Sequence, residues 1–159
     1  MVSKEGVGQD PEKVRVLSEL RYPKVRKELE SFVGMLNDHR RFVPQLAKEM
    51  WLLEELKTES KGRRFIFTKE HERAFDRCID IIKRGVMLAS PKDEGLFIVE
   101  VDACKNTYTV SATFKQIQGR SQVVLGYASK RLSKKDKEKG IPFLEFSAIH
   151  YGATYFSDE

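Results

Sequence analysis

Residues 95–128 read GLFIVEVDACKNTYTVSATFKQIQGRSQVVLGYA, and the fold class turns on this stretch. At Gly95 the apolar period changes from helical to alternating. Phe97, Val99 and Val101 alternate with Leu96, Ile98 and Glu100, which predicts a strand ending at Asp102. Residues 107–114 (TYTVSATF) form a second β-type run and 123–128 (VVLGYA) a third, with turn chemistry between them at Gln118-Gly119-Arg120. Three short strands in close succession predict an antiparallel sheet.

Upstream, the pattern is helical. Asp10-Pro11-Glu12 reads as a capping acid, a proline at the first helical position and an acid in the first turn. Val14, Leu17 and Leu20 give that helix one apolar stripe before Tyr22-Pro23 stops it. A second helix is expected from about Lys24 to Asn37, with Leu29, Phe32, Val33 and Leu36 on one face. Pro44 separates it from a third carrying Leu46, Met50, Leu53 and Leu56, with Trp51 beside them. Thr68 has the chemistry of a cap for a fourth, whose Phe75, Cys78, Ile79 and Ile82 face inward. Downstream of the strands a charged loop leads to Pro142 and a last helix. Leu144, Ala148, Tyr151 and Tyr155 share one face of it, and Glu145, Ile149, Gly152 and Phe156 the next. The expected class is α+β: a helical part over 1–60, a polar linker at 57–64, and a three-stranded antiparallel sheet with one covering helix over 65–159. Either the four upstream helices cover the other face or a strand and helix are missing, and an open sheet edge where a fourth strand should pair is an aggregation liability.

The chain has 159 residues, with 29 basic against 24 acidic and a net charge of +5. The charge is uneven. Residues 115–139 carry eight basic side chains (Lys115, Arg120, Lys130, Arg131, Lys134, Lys135, Lys137, Lys139) against Asp136 and Glu138. Such a segment attracts phosphate backbones, or serves only as a solvated loop. No apolar run is long enough for a membrane span, and the first residues lack the apolar stretch of a signal peptide. Two cysteines and three scattered histidines exclude a disulfide framework or a zinc cluster of known spacing, pointing to a reducing, intracellular setting in cytoplasm or nucleus.

Few residues can carry chemistry. Asp102 ends the first strand and Glu145 opens the last helix. Two such acids brought together could hold a divalent cation, and with further acids a two-metal site for phosphoryl transfer. A turn-forming aspartate and a glutamate favoured by the helix dipole account for the same pattern. Gly6 and Gly8 lack the lysine and strand context of a phosphate loop, and no serine sits in a nucleophile elbow. Cys104 reads as a small packed side chain, and His150 has no metal-ligating neighbour at helical spacing. Tyr108, Tyr127, Tyr151 and Tyr155 suit core packing better than base stacking.

The order of six blocks carries more than any one of them. VSKEGVGQDPEKV, KVRKELESFVGMLNDHRRFVPQLAK, FIFTKEHERAFDRCIDIIKRGVMLASP, LFIVEVDAC, VVLGYASKRLSKKDKE and FLEFSAIHYGATYF together resemble the pol polyprotein of gypsy-type LTR retrotransposons. The likeness covers the end of a reverse transcriptase palm, its helical thumb, and the N-terminal half of a ribonuclease H domain. It runs from about Val2 to Phe156, with Phe32, Gly34, Arg40-Arg41-Phe42 and Pro44 matching the thumb.

The resemblance implies a truncated ribonuclease H-like sheet and a protein that binds RNA–DNA hybrid or duplex nucleic acid. It places Asp102 and Glu145 at two positions of a hybrid-cutting centre that binds Mg²⁺. It assigns Arg40, Arg41 and Lys48 to the duplex backbone, and the basic segment adds Lys130, Arg131, Lys134 and Lys135. The family's polymerase aspartates would lie upstream of this chain and its later ribonuclease H acids beyond Glu159. The expected state is therefore catalytically incomplete, with Mg²⁺ held weakly or not at all. Its partners would be nucleic acid and the rest of a pol polyprotein, with no membrane. Around Asp102 the family has a small hydroxyl residue and nearby glycines, where this chain has Cys104 and no glycine until Gly119. The alternative is a domesticated remnant that serves as a protein-interaction module.

Overall fold

The computed structural model describes residues 2–3 and 6–157, with the backbone alone at 3, 134 and 137. Two dipeptide strands, β1 (Val2–Ser3) and β2 (Gly6–Val7), pair with each other, and Val7 exchanges backbone hydrogen bonds with Leu88. Helix α1 (Pro11–Ser18) follows, its Glu12 N–H donating to the Asp10 carboxylate at 2.9 Å. Helices α2 (Arg26–Asn37), α3 (Leu46–Glu59) and α4 (Lys69–Lys83) complete the helical part, with a 3₁₀ turn at Arg40–Phe42 between the first two. The Thr68 N–H donates to His71 Nδ1 at 3.1 Å and starts α4.

The four apolar stripes meet in one core built on Leu17, Leu29, Phe32, Leu36, Met50, Leu53 and Ile82, with the rings of Phe32 and Phe75 stacked at 4.0 Å. Helix α4 therefore packs with α1–α3 rather than on the sheet. Its amphipathic face finds apolar partners there, whereas the sheet's near side offers polar groups.

The sheet runs in the order β3–β4–β5, all antiparallel: β3 (Phe97–Cys104), β4 (Thr109–Gln118) and β5 (Ser121–Arg131). All three strands are longer than the alternating apolar runs predict. Pairing carries β4 and β5 through charged positions because those charges find partners, as Lys115 does at 2.6 Å from Glu100. The β4–β5 hairpin closes on Gly119-Arg120, where Gly119 takes φ 65, and a bulge at Phe114/Lys115 bends the pair.

The sheet is covered on both faces. Helix α5 (Ile141–Tyr155) lies on the side of Val99, Val101 and Ala112, and a Cβ on Gly152 would fall 2.6 Å from Val101 Cγ1, so only glycine permits this approach. Leu144, Ala148 and Tyr151 of the first face are buried while Tyr155 remains 47% exposed, and on the next face Gly152 and Phe156 are buried while Ile149 is exposed. The opposite face takes α3 and the 3₁₀ turn. The Ala47 N–H donates to Ser129 Oγ at 2.9 Å, Arg40 Nη1 donates to the Ser129 carbonyl, and Arg131 reaches the Trp51 carbonyl at 3.2 Å. The upstream helices thus cover β4 and β5, leaving β3 as the bare edge.

Candidate functional site

Strand alternation and the placement of α5 decide what the two acids can do. Residues 97, 99 and 101 of β3 face α5, so Asp102 turns to the other side, where it is paired in register with Ser111. Its Oδ2 accepts from Gln45 Nε2 at 3.1 Å. Gln45 occupies the left-handed conformation (φ 54) just before α3, which aims its amide across the sheet. A small hollow of about 10 Å³ is lined here by Gln45, Lys48, Asp102, Cys104, Ser111 and Ser129.

Glu145 is exposed in the first turns of α5, seven residues and thus two turns before Gly152. Gly152 lies against Val99 and Val101, and Phe156, one turn on, stacks on Phe114 at 4.9 Å. The helix therefore runs counter to β3, which carries Glu145 towards the Cys104 end of that strand. The fold brings Asp102 and Glu145 to one end of the sheet, with Asp102 turned to the α3 side and Glu145 carried by α5, which covers the other side.

Magnesium prefers several oxygen ligands in octahedral array. Here a single carboxylate sits in the hollow, engaged by an amide donor and bordered by the Lys48 ammonium. Among the described residues no group of three or more His, Cys, Asp or Glu could hold a metal. The described residues do not by themselves fit a two-metal centre.

The basic residues divide into two sets. Arg40 is spent internally: besides Ser129 it donates to Asn37 Oδ1 at 2.8 Å and meets Glu54 Oε1 at 3.3 Å. Burial pushes the Glu54 carboxyl up despite the opposing pull of Arg40, Lys57 and Arg131. Arg131 has only 12% of its side chain exposed, pairs with Glu55 at 3.0 Å and lies over the Trp51 ring. These two guanidiniums fasten the helical part to the sheet, and sequence reasoning had no means of seeing it because their partners lie far along the chain. Arg41, Lys48 and Lys135 are exposed, with the Arg41 stem laid over Gly126. Lys130 sits on the α5 side, 4.6 Å from the centre of the Tyr151 ring. The Lys134 side chain lies outside the described residues.

Cys104 is half-buried. A hydrogen bond from Thr107 holds its thiol below the usual range against partial burial, with backbone donors from Thr107 and Asn106 and the Lys48 charge adding to the effect. Gln45 and Thr107 are the residues here that sequence reasoning missed. Neither lies in a recognisable motif, and both act through the tertiary fold.

Residues 67–159 match the family described as the RNase H-like domain found in reverse transcriptase. A putative enzymatic polyprotein of Cassava vein mosaic virus is 26% identical over 137 residues, covering 84% of this chain and 21% of that protein. The retrovirus-related Pol polyprotein from transposon opus of Drosophila melanogaster is 28% identical over 159 residues, covering 94% of this chain and 16% of its own length. The chain thus spans about a fifth of the length of these relatives.

Among solved structures, a foamy viral protease-reverse transcriptase (dRH) in complex with ds DNA superposes with a TM-score of 0.84 at 20% identity. It covers 99% of this chain and 27% of that one. The same viral protein in complex with an RNA/DNA hybrid gives 0.82 at 21% identity, covering 99% of this chain and 21% of that one. At such identities the superpositions establish the α+β fold. With more than half of its length matched by one family model, this chain belongs to the RNase H-like domains found in reverse transcriptase.

Proposed function

We propose that this chain is a nucleic-acid-binding piece of a gypsy-type reverse transcriptase–ribonuclease H polyprotein, with thumb-like helices over 1–60 and a partial ribonuclease H-like part over 65–159. It engages the backbone of an RNA–DNA hybrid or duplex and does not cut hybrid by itself. The observation that carries this reading is the fastening of the two parts. Arg40, Arg131 and the Ala47–Ser129 bond join helices to sheet, so Arg41 and Lys48 from one part and Lys130 and Lys135 from the other are displayed on a single body. A backbone-reading surface needs cations held at fixed spacing, and their number sets its salt dependence. The complexes of the foamy viral protein with ds DNA and RNA/DNA hybrid lend support by analogy of fold.

Asp102 and Glu145 are then the positions of an ancestral hybrid-cutting pair, and Mg²⁺ is held weakly or not at all. The hollow at Asp102, lined by this one carboxylate and engaged by the Gln45 amide, supports the incomplete reading. A salt titration of a labelled RNA–DNA hybrid tests the proposal. Binding that weakens steeply as salt rises is expected, and no binding at low salt would refute it. Mg²⁺-dependent cleavage that disappears in Asp102→Asn would overturn the claim of inactivity.

The second reading, a remnant that binds protein, is favoured by one observation. Phe146 and Ile149 on α5 are 65% and 57% exposed.

A further inference from the structure

The contacts of Gln9 carry an inference independent of nucleic-acid binding. Residues 6–9 lie along the connector that follows α4. Val7 and Leu88 exchange backbone hydrogen bonds of 2.8 Å in both directions, and Leu88 is buried. Two residues on, the Gln9 side chain bridges two elements of the helical part. Its Nε2 donates to the Ile82 carbonyl near the end of α4 at 2.8 Å, and its Oε1 meets Nδ1 of His39, just beyond α2. A Cβ on Gly85 would fall 1.6 Å from Gln9 Nε2, so the absence of a side chain there makes room for the amide.

These partners fix the state of the ring. The Ile82 carbonyl only accepts, so it takes the amide nitrogen and turns the amide oxygen to His39. That oxygen in turn requires a proton on Nδ1, and the neutral ring then carries none on Nε2. A second proton therefore goes to Nε2, on a residue only 3% exposed. The charged groups acting on the ring are Asp38, beside it in the chain, and Asp10 and Lys13 at the start of α1. The two aspartates favour the cation, and Lys13 opposes it while lying 3.6 Å from Asp38. Arg40 is committed to Ser129, Asn37 and Glu54, and the connector at 85–89 holds no charged side chain. Burial outweighs the aspartates and holds the imidazole below its ordinary value of 6.5. The closed, neutral arrangement is thus fully favoured above that value and loses its advantage as pH falls.

We propose that Gln9 and His39 form a proton-operated clasp: the neutral ring holds residues 6–9 on the helical part, and a proton on Nε2 releases them. Release hydrates the charged ring while the helices and the sheet stay folded, because the helical core and the sheet core are built without residues 6–9.

The test uses the full chain, with imidazole nitrogen shifts and residue-resolved amide exchange as readouts. The shifts should show the proton on Nδ1 in the neutral ring, and the opposite tautomer would overturn the proposal. Protection at the Val7 and Leu88 amides should fall several-fold between pH 7 and 5. At pH 7, sub-denaturing urea should speed exchange at Leu53 in α3 and Ala112 in β4 and leave Val7 and Leu88 nearly unchanged, since a local opening exposes little surface. His39→Gln keeps a donor towards Gln9 without a titrating ring, so protection at Val7 and Leu88 should persist and become flat with pH. Gln9→Ala should lower it already at pH 7. Protection in the parent that does not change with pH would overturn the clasp, as would the same pH profile in His39→Gln. Equal urea sensitivity at all four amides would also overturn it, because residues 6–9 would then leave only when the whole chain unfolds.

Discussion

Replacing Gly152 with alanine tests the packing of α5 on the sheet, because two opposing effects can be sized from the structure. Alanine is the better helix former, which favours the variant by about 1 kcal/mol at a helix-interior position. Against this, the new Cβ would lie 2.6 Å from Val101 Cγ1, 3.1 Å from Val99 Cγ1 and 3.3 Å from Ala112 Cβ. Overpacking of this kind costs about 1–3 kcal/mol, and three simultaneous contacts from two strands place it in the upper part of that range. The net expectation is a loss of about 1–2 kcal/mol. The same change in a Val101→Ala background removes the shortest contact, so its cost should fall to about zero and leave a coupling of about 1 kcal/mol or more. Urea denaturation of the four proteins, with slopes checked for constancy, measures this cycle. A Gly152→Ala protein at least as stable as the parent would refute the packing argument, as would an identical effect in both backgrounds.

Four further outcomes are expected. Arg131→Ala should cost about 2–4 kcal/mol by urea denaturation, since it removes the guanidinium that donates to Glu55 and to the Trp51 carbonyl at the seam between helices and sheet. Burial holds the His39 imidazole below its ordinary value of 6.5, with Lys13 adding to the effect and Asp38 and Asp10 opposing it. A depressed pKa in the folded state means that stability is present above 6.5 and is lost as pH falls, so the urea midpoint should drop between pH 7 and 5 and drop less in His39→Gln. Iodoacetamide should label Cys104 in the folded protein and spare Cys78, whose thiol burial pushes up to about 12, until denaturant is added. Lys48→Ala should weaken hybrid binding and reduce the slope of log affinity against log salt by about 1, whereas an unchanged slope would remove Lys48 from the interface.

The elements were legible in the sequence and their mutual placement was not. Helical spacing of Leu29, Phe32, Val33 and Leu36, or of Phe75, Cys78, Ile79 and Ile82, reports a buried face directly, and all eight are buried. The alternation at 97–101 likewise announces a strand. Strand ends escaped detection because cross-strand pairing, not local pattern, carries Lys115, Lys130 and Arg131 into the sheet. Which face Asp102 would present also depends on a distant fact, namely that Gly152 lets α5 settle on the Val99–Val101 side. Tyr108 is a comparable case. The glycine-poor turn after Cys104 still needs a residue at positive φ, and a tyrosine supplies it at 50°.

The division of labour between arginine and lysine follows from their head groups and bears on how the surface works. A guanidinium carries five donors in a rigid fork, so one Arg40 satisfies Asn37, the Ser129 carbonyl and Glu54 together, and one Arg131 serves Trp51 and Glu55. An ammonium at either place is a point charge without the planar fork that serves these acceptors together. Each of these arginines is also neutralised by a neighbouring glutamate, so neither adds to the field felt by an approaching polyanion. Under the proposed function that field comes from exposed lysines such as Lys48, Lys130 and Lys135, compactly charged and flexible. Lysines attract a phosphate backbone without imposing the bidentate geometry by which arginine reads guanine. Under the proposed function, a surface so composed would follow the shape and charge of a duplex without regard to its sequence.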